Sequence, residues 1–306
     1  MVVEFPGNFA VRYCGRMFAR FGARVLRVGT QAAPPAPTDR SLAEAAFFDA
    51  GKEQAAAAFD GDAERLASLV LAADVVVTGG IPASLRAAGV LDEGGSPKNP
   101  ALVLALITEF GFEGPYADYQ GTSLTGHAAG GYLYHNGDPD RPPLRGLEYH
   151  PYAQTGSVAF FAALAALHER RRSGLGQRVS TSVMQAIAPL HAWTTVRYSH
   201  GGIIQKRLGN RYSIGHPNRV YRTKDGYWML TVVDQKRTDM LLALAGHPEA
   251  AGDPRFETIP GRETHAEDSI SLNGAENETK PPFRCGEIFR YSGTGRELSR
   301  WHSGMI

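Results

Sequence analysis

Ser123 stands in the run Gly121-Thr122-Ser123-Leu124-Thr125. That run is close to the Gly-x-Ser-x-Gly elbow on which hydrolases expose a nucleophilic serine. Thr125 breaks the pattern, because the last glycine of an elbow permits the close approach of helix and strand. A Ser-His-Asp set can be assembled from later residues, but a chain of 306 residues always offers one. His127, His135 and His150 fall at no standard metal-ligand spacing and read as loop histidines. Neither Gly-x-Gly-x-x-Gly after a strand nor Gly-x-x-x-x-Gly-Lys-Ser/Thr is present, so the common nucleotide fingerprints are missing. Gly114-Pro115-Tyr116 reads as a turn, and Arg170, Arg171 and Arg172 as a solvated helix end. Each of these features is weak alone; their order and spacing carry more.

The elements that must position them alternate between helix and strand. Ala10, Tyr13, Cys14, Met17, Phe18 and Phe21 recur at helical spacing, Gly22 supplies a stop, and Val25 to Val28 is a short strand. After a loop with Pro34, Pro35 and Pro37, Asp60 and Asp62 flank the start of a helix carrying Leu66, Leu69 and Val70. Val75-Val76-Val77 and Leu102 to Ile107 are apolar runs of the kind found in strands covered on both faces, with a short helix from Ser84 to Ala88 between them. The economical topology is a parallel sheet with right-handed crossovers. A glycine-rich stretch, Gly111 to Gly146, precedes two expected helices. The first runs from Tyr152 to Arg172 with Phe160, Phe161, Leu164 and Leu167 inward, and the second from Val179 to Tyr198. Val220 to Trp228, flanking Asp225-Gly226, predicts a hairpin, and Met240 to Leu244 a helix.

Composition narrows the class. Hydrophobic residues are 43% and charged residues 21%, the balance of a globular chain. A net charge of +1 gives no field that favours nucleic acid or an anionic membrane. Cys14 and Cys285 are too few for a disulfide framework or a closed zinc site, so no metal is expected. Glu4 and Arg12 interrupt any apolar signal core, which argues for a cytoplasmic protein. Residues 1–200 read as a large α/β domain, 201–217 as a linker and 218–268 as a smaller, incomplete α+β domain. Residues 269–306 are polar and aperiodic, and read as disordered or as the product of a shifted reading frame.

Taken together, the motifs resemble the class III CoA-transferase family, the CaiB/BaiF type that includes formyl-CoA and carnitine CoA-transferases and the α-methylacyl-CoA racemases. The resemblance rests on several runs. They are Val2 to Gly7; Tyr13 to Ala23; Gly51-Lys52; Ala73 to Val77; Glu109-Phe110-Gly111 with Gly114-Pro115-Tyr116; Glu169-Arg170 through Val179; Arg207 to Asn210; and Asp253 to Phe256. It implies a Rossmann-like large domain, a smaller α+β domain and two chains interlaced as linked rings. It implies coenzyme A and acyl-CoA as substrates, with contacts around Gly7 to Arg12, Lys52, the Thr78-Gly79-Gly80 turn and the Gly130-Gly131 loop.

Transferases of this type use an aspartate that attacks the thioester, and the resemblance places Ser123 at that position. A serine would form an oxygen ester, from which CoA is not readily recovered. The racemase positions fall on Thr122 and Tyr152, neither of which is a base near neutral pH. Three readings follow. The chain is the non-catalytic member of a homodimer or heterodimer with a catalytic subunit. Alternatively it is an active acyl-CoA:carboxylate transferase in which Asp118 or Glu148 has taken over. In the third reading it is a non-enzymatic binding protein or a decayed gene product.

Overall fold

The computed structural model describes residues 1–29, 38–55, 63–81, 83–212, 217–223, 226–232, 234–244, 247–265 and 268. The proline-rich loop, Asp60, Asp62, Asp225, Cys285 and the stretch 269–306 lie outside the described residues. Contacts divide the chain into two units, residues 1–136 with 143–206, and residues 137–142 with the chain from 207 onward.

In the first unit, β1 (Val2–Glu4), β2 (Val25–Val28), β3 (Glu53–Ala55), β4 (Val75–Thr78), β5 (Val103–Thr108) and β6 (Arg178–Ser182) form one parallel sheet in the order β3-β2-β1-β4-β5-β6. Helices α1 (Phe9–Arg20), α2 (Asp39–Phe48), α3 (Ala63–Leu71) and α4 (Ala83–Ala87) run between the early strands. Helices α5 (Ser123–Ala129), α6 (Tyr132–His135), α7 (His150–Ser173), α8 (Val183–Ile187) and α9 (Ala192–Gly201) follow. Successive strand residues face opposite sides. Val2, Val25, Val75, Val77, Ala105 and Ile107 pack with α1 and α7, while Val3, Val76, Leu104 and Leu106 pack with α3 and α4. Burial on both faces explains why the central strands read as unbroken apolar runs.

Two expectations need correction. Residues 179–198 are not one helix. Arg178–Ser182 pairs with Leu104–Thr108 as the edge strand β6, and Ser182 Oγ then caps α8 by accepting from Gln185 N at 3.2 Å. Pro189 stands in the single 3-10 turn Ala188–His191 that separates α8 from α9. In α7 the inward residues are Ala159, Phe160, Ala163 and Ala166, whereas Phe161 and Leu164 are exposed, as is Phe21 beyond α1. The cause is the approach of α1. A Cβ on Gly156 would lie 2.7 Å from Ala10 O and 3.0 Å from Cys14 N, so small residues must face that helix.

The second unit contains β7 (Arg219–Thr223) and β8 (Gly226–Leu230), paired antiparallel as the hairpin signal predicts. Helices α10 (Gln235–Leu244) and α11 (Ile259–Thr264) follow, over a small core of Leu242, Ala250 and Phe256. Arg262 is buried and donates to Phe256 O and to Gln235 Oε1. Among the described residues no helix is long and apolar enough to cross a membrane, and no group of three or more His, Cys, Asp or Glu side chains is placed to hold a metal ion.

Candidate functional site

From β1 the chain winds outward through β2 and β3, and from β4 it winds the other way through β5 and β6. The boundary between β1 and β4 is therefore a switch point, where open α/β sheets bind ligands beyond the carboxyl ends of their strands. Gly7 follows β1 there and Gly79 follows β4. A Cβ on Gly79 would meet Gly7 Cα at 3.2 Å, so the two turns touch backbone to backbone. Thr78 is buried and its Oγ1 donates to Gly80 O at 2.6 Å, which shapes the second turn, and a Cβ on Gly80 would meet only open space. Asn8 caps α1, its Oδ1 accepting from Ala10 N and Val11 N at 3.0 and 3.2 Å. Two of the amides at this helix start are thus already engaged.

The other two residues that the resemblance assigns to coenzyme A on this side turn inward. Lys52 Nζ is fully buried, 2.6 Å from Glu4 Oε2 and 2.8 Å from Arg12 O. Arg12 makes a forked pair with Asp49, at 3.2 and 2.7 Å, and Arg27 joins Asp49 at 2.8 Å. Gly15 makes room for this cluster, since a Cβ there would lie 1.8 Å from Glu4 Oε2. Burial pushes the Glu4 carboxyl up to about 7 against the pull of Lys52 and Arg27, and burial lowers Lys52. Arg12 and Lys52 therefore brace the turn that carries Gly7 and Asn8.

Beyond β5 lies Glu109, which belongs to the Glu109-Phe110-Gly111 run that carries the resemblance but was given no role in it. Glu109 Oε1 accepts from Asn8 Nδ2 at 2.9 Å, across 101 positions of sequence. Its Oε2 is buried and has no hydrogen-bond partner among the described residues. Burial raises the Glu109 carboxyl above its ordinary value, opposed by the Asn8 hydrogen bond. Gly121 lies against it, so that a Cβ there would come within 2.7 Å of Glu109 Cβ and Cγ and 2.8 Å of Oε2. A usable signal existed: Glu109 stands just past the carboxyl end of a buried parallel strand, where α/β sites form.

Ser123 begins α5 two residues further on. It is buried, and its Oγ has no partner among the described residues. Thr122 and Thr125, the second of which breaks the hydrolase elbow, form a reciprocal capping box: Thr122 N donates to Thr125 Oγ1 at 2.7 Å and Thr125 N to Thr122 Oγ1 at 3.3 Å. Tyr152 is buried, and its phenol is pushed up to about 12 by burial and then by the charges of Glu109 and Glu148. Gly130 and Gly131 lie at the far end of α5. The first is pressed against Ile187, where a Cβ would meet Cγ2 at 2.4 Å, and the second is at φ +84° with open space around it.

The remaining expected residues are not gathered at the switch point. Asp118 is exposed, and Glu148 pairs with Arg40 at 2.9 Å. Glu148 lines an open cavity of about 750 Å³ whose wall includes Tyr13, Phe47, Phe48, Tyr149 and His150. The histidines are not separate loop residues. His127 Nε2 lies 3.2 Å from His150 Nδ1 with the rings stacked, and Tyr132 links them to His191, which packs on His135. Burial lowers His127, His135 and His191, disfavouring their charged forms.

A protein of Chloroflexus aurantiacus named succinyl-CoA–D-citramalate CoA-transferase is 32% identical over 279 residues, which cover 86% of this chain and 68% of that one. Another from the same organism, named succinyl-CoA–L-malate CoA-transferase beta subunit, is 25% identical over 279 residues, 87% of this chain and 69% of its own. The crystal structure of a CaiB/BaiF family protein from Brucella suis superposes with a TM-score of 0.72 at 26% identity, covering 95% of this chain and 79% of that one. Residues 1–277 match the family described as CoA-transferase family III. With a Rossmann-ordered sheet, paired glycine turns at its switch point and these relatives, the chain belongs to CoA-transferase family III.

Proposed function

We propose that the chain binds an acyl-CoA thioester at the β1/β4 switch point and takes part in the exchange of CoA between carboxylic acids. The observation that carries this is the contact of Gly7 and Gly79 at the mouth of the sheet, in a chain of this family. Two side-chain-free turns leave the crevice floor open to a long, thin ligand. Transfer is favoured over proton shuttling because Thr122 is committed to capping α5 and Tyr152 holds its proton far above neutral pH. A serine ester at Ser123 is a poor CoA carrier, so the carboxylate that exchange needs comes from a partner chain or from elsewhere in this one.

The partner reading is supported by the relative named as a beta subunit. It takes the chain as half of a cytoplasmic dimer, with a like chain or with a catalytic subunit, interlaced in the manner of the family. The in-chain reading requires a displaced carboxylate, for which Asp118 and Glu148 were the expected sources. Calorimetric titration of the full chain with CoA and acetyl-CoA tests the shared part. A Kd in the micromolar range, about −8 kcal/mol, is expected. Absence of binding by a folded sample removes both readings.

A further inference from the structure

We propose that the cavity between α2 and the start of α7 sets the acyl specificity of this chain, taking an apolar, ring-bearing acyl group and rejecting one that carries a second carboxylate. The inference rests on the CoA-thioester reading above. Tyr13, Phe47, Phe48, Leu147 and Tyr149 wall a cavity of about 750 Å³, an ordinary size for a small-molecule site. Phe48 meets Phe47 at 5.0 Å and 83°, and Tyr149 at 5.4 Å and 65°. Ring edges as well as ring faces therefore line it, which suits the packing of a further ring. Leu147 is 83% exposed, so part of this apolar wall still faces water. The cavity adjoins the crevice. Phe9, two residues past Gly7 and the first of α1, packs at 5.0 Å on both Phe48 and Tyr149. A ligand laid over the Gly7 turn and continued past Phe9 thus enters it.

Charge decides which acyl group fits. Among the described residues that line the cavity, Arg40 is the one Lys or Arg, and it is fully engaged. Its guanidinium donates to Glu44 Oε1 at 2.9 Å and to Tyr149 Oη at 3.1 Å, and it pairs with Glu148 Oε1 at 2.9 Å. Tyr149 Oη donates in turn to Glu44 Oε1. Hydrogen bonds from Tyr149 and Arg40 hold the Glu44 carboxyl below its ordinary value, so it stays ionised at neutral pH. One positive charge here faces two negative ones. The neighbouring cations are engaged as well. Arg12 lies 5.3 Å from the ring centres of Phe9 and Phe48 but is forked to Asp49. Arg16 lies over Phe47 and donates to Phe47 O, and His150 turns Nδ1 to His127. A carboxylate at the far end of an acyl group would lose water, find no counter-ion and meet an excess of negative charge. A phenyl ring meets none of these costs.

Calorimetric titration of the full chain with CoA, phenylacetyl-CoA and succinyl-CoA tests this. Phenylacetyl-CoA is expected to bind about 10-fold or more tightly than CoA, the effect of burying one ring, and succinyl-CoA no more tightly than CoA. Two variants locate the cause. Ala43→Trp, at an exposed position of α2 that lines the cavity, fills it and should abolish the preference for phenylacetyl-CoA over CoA. Glu44→Gln with Glu148→Gln frees Arg40 and should raise the affinity for succinyl-CoA relative to CoA about fivefold, with no such gain for phenylacetyl-CoA. A preference retained in Ala43→Trp places the acyl group elsewhere and overturns the proposal. CoA binding with no preference among the three thiols and thioesters, or with succinyl-CoA the tightest, overturns the proposal and leaves the CoA reading standing. A folded chain that binds none of the three overturns both.

Discussion

Glu4 and Lys52 are both out of water, 2.6 Å apart, at the base of the Gly7 turn. Removing one partner of such a pair leaves a buried charge, which costs about 3–5 kcal/mol. Lys52→Met is therefore expected to lower stability by about that much at pH 8 in chemical denaturation. The loss should be smaller at pH 5, where Glu4 can take up a proton instead of standing as a bare charge. The same group sets a pH slope in the parent protein. Burial moves Glu4 from 4.5 to about 7, so between those values the folded chain keeps a proton that the unfolded chain releases. Stability contributed here falls as pH rises through that window. Lys52, lowered by burial, acts with the opposite sign in the alkaline range below 10.5, and Asp49 acts below 3.8. For Asp49, burial is outweighed by Arg12, Arg27 and Lys52. Glu109 shares the sign of Glu4, so the discriminating measurement is Glu4→Gln, which should flatten the 4.5-to-7 slope while leaving the Glu109 contribution. An unchanged slope would refute the assignment to Glu4. At this scale the sequence showed residue types but not partners. Lys52 reads as a ligand contact until Glu4, 48 residues away, is seen to occupy it. Glu109 is a motif residue without a role until Asn8 and Gly121 are seen to close around it.

At the scale of elements, the union of α1 and α7 holds the site to the sheet. Gly156 is a point of close approach between them, and in an ordinary exposed helix its replacement by alanine would gain about 1 kcal/mol. Here the new Cβ would sit 2.7 Å from Ala10 O and 3.0 Å from Cys14 N, backbone atoms that cannot rotate aside. Gly156→Ala is expected to destabilise by about 1–3 kcal/mol, the usual cost of overpacking. A gain in the denaturation midpoint would show that the helices are less closely set. The same contact explains where legibility failed. Long apolar side chains are the obvious inward candidates in α7, but a close helix pair selects alanine and glycine, leaving Phe161 and Leu164 outside. Central strands such as Val75–Thr78 and Val103–Thr108 were legible because both of their faces are covered. β6 was not: an edge strand reading Arg-Val-Ser-Thr-Ser is half exposed and has no apolar run to announce it.

For the whole molecule, the strand order decides where a ligand can act. Reversal of winding between β1 and β4 opens a crevice that belongs to neither strand alone, so a ligand seated there ties both halves of the sheet together. Such a ligand binds only the folded chain and must stabilise it by mass action. At CoA about 100-fold above its Kd the gain is about 2.7 kcal/mol. Gly79→Val places side-chain atoms in a gap where even a Cβ meets Gly7 Cα at 3.2 Å. The variant's own melting temperature will shift, but its increment on adding CoA should vanish, and that difference is the quantity to measure. Hydrogen exchange locates the effect. In the parent protein CoA should slow exchange at the turn after β1 and at the turn after β4 together, because one ligand spans both. Protection confined to the aromatic cavity around Phe47 and Tyr149 would place the ligand there instead, and the switch-point assignment would fall.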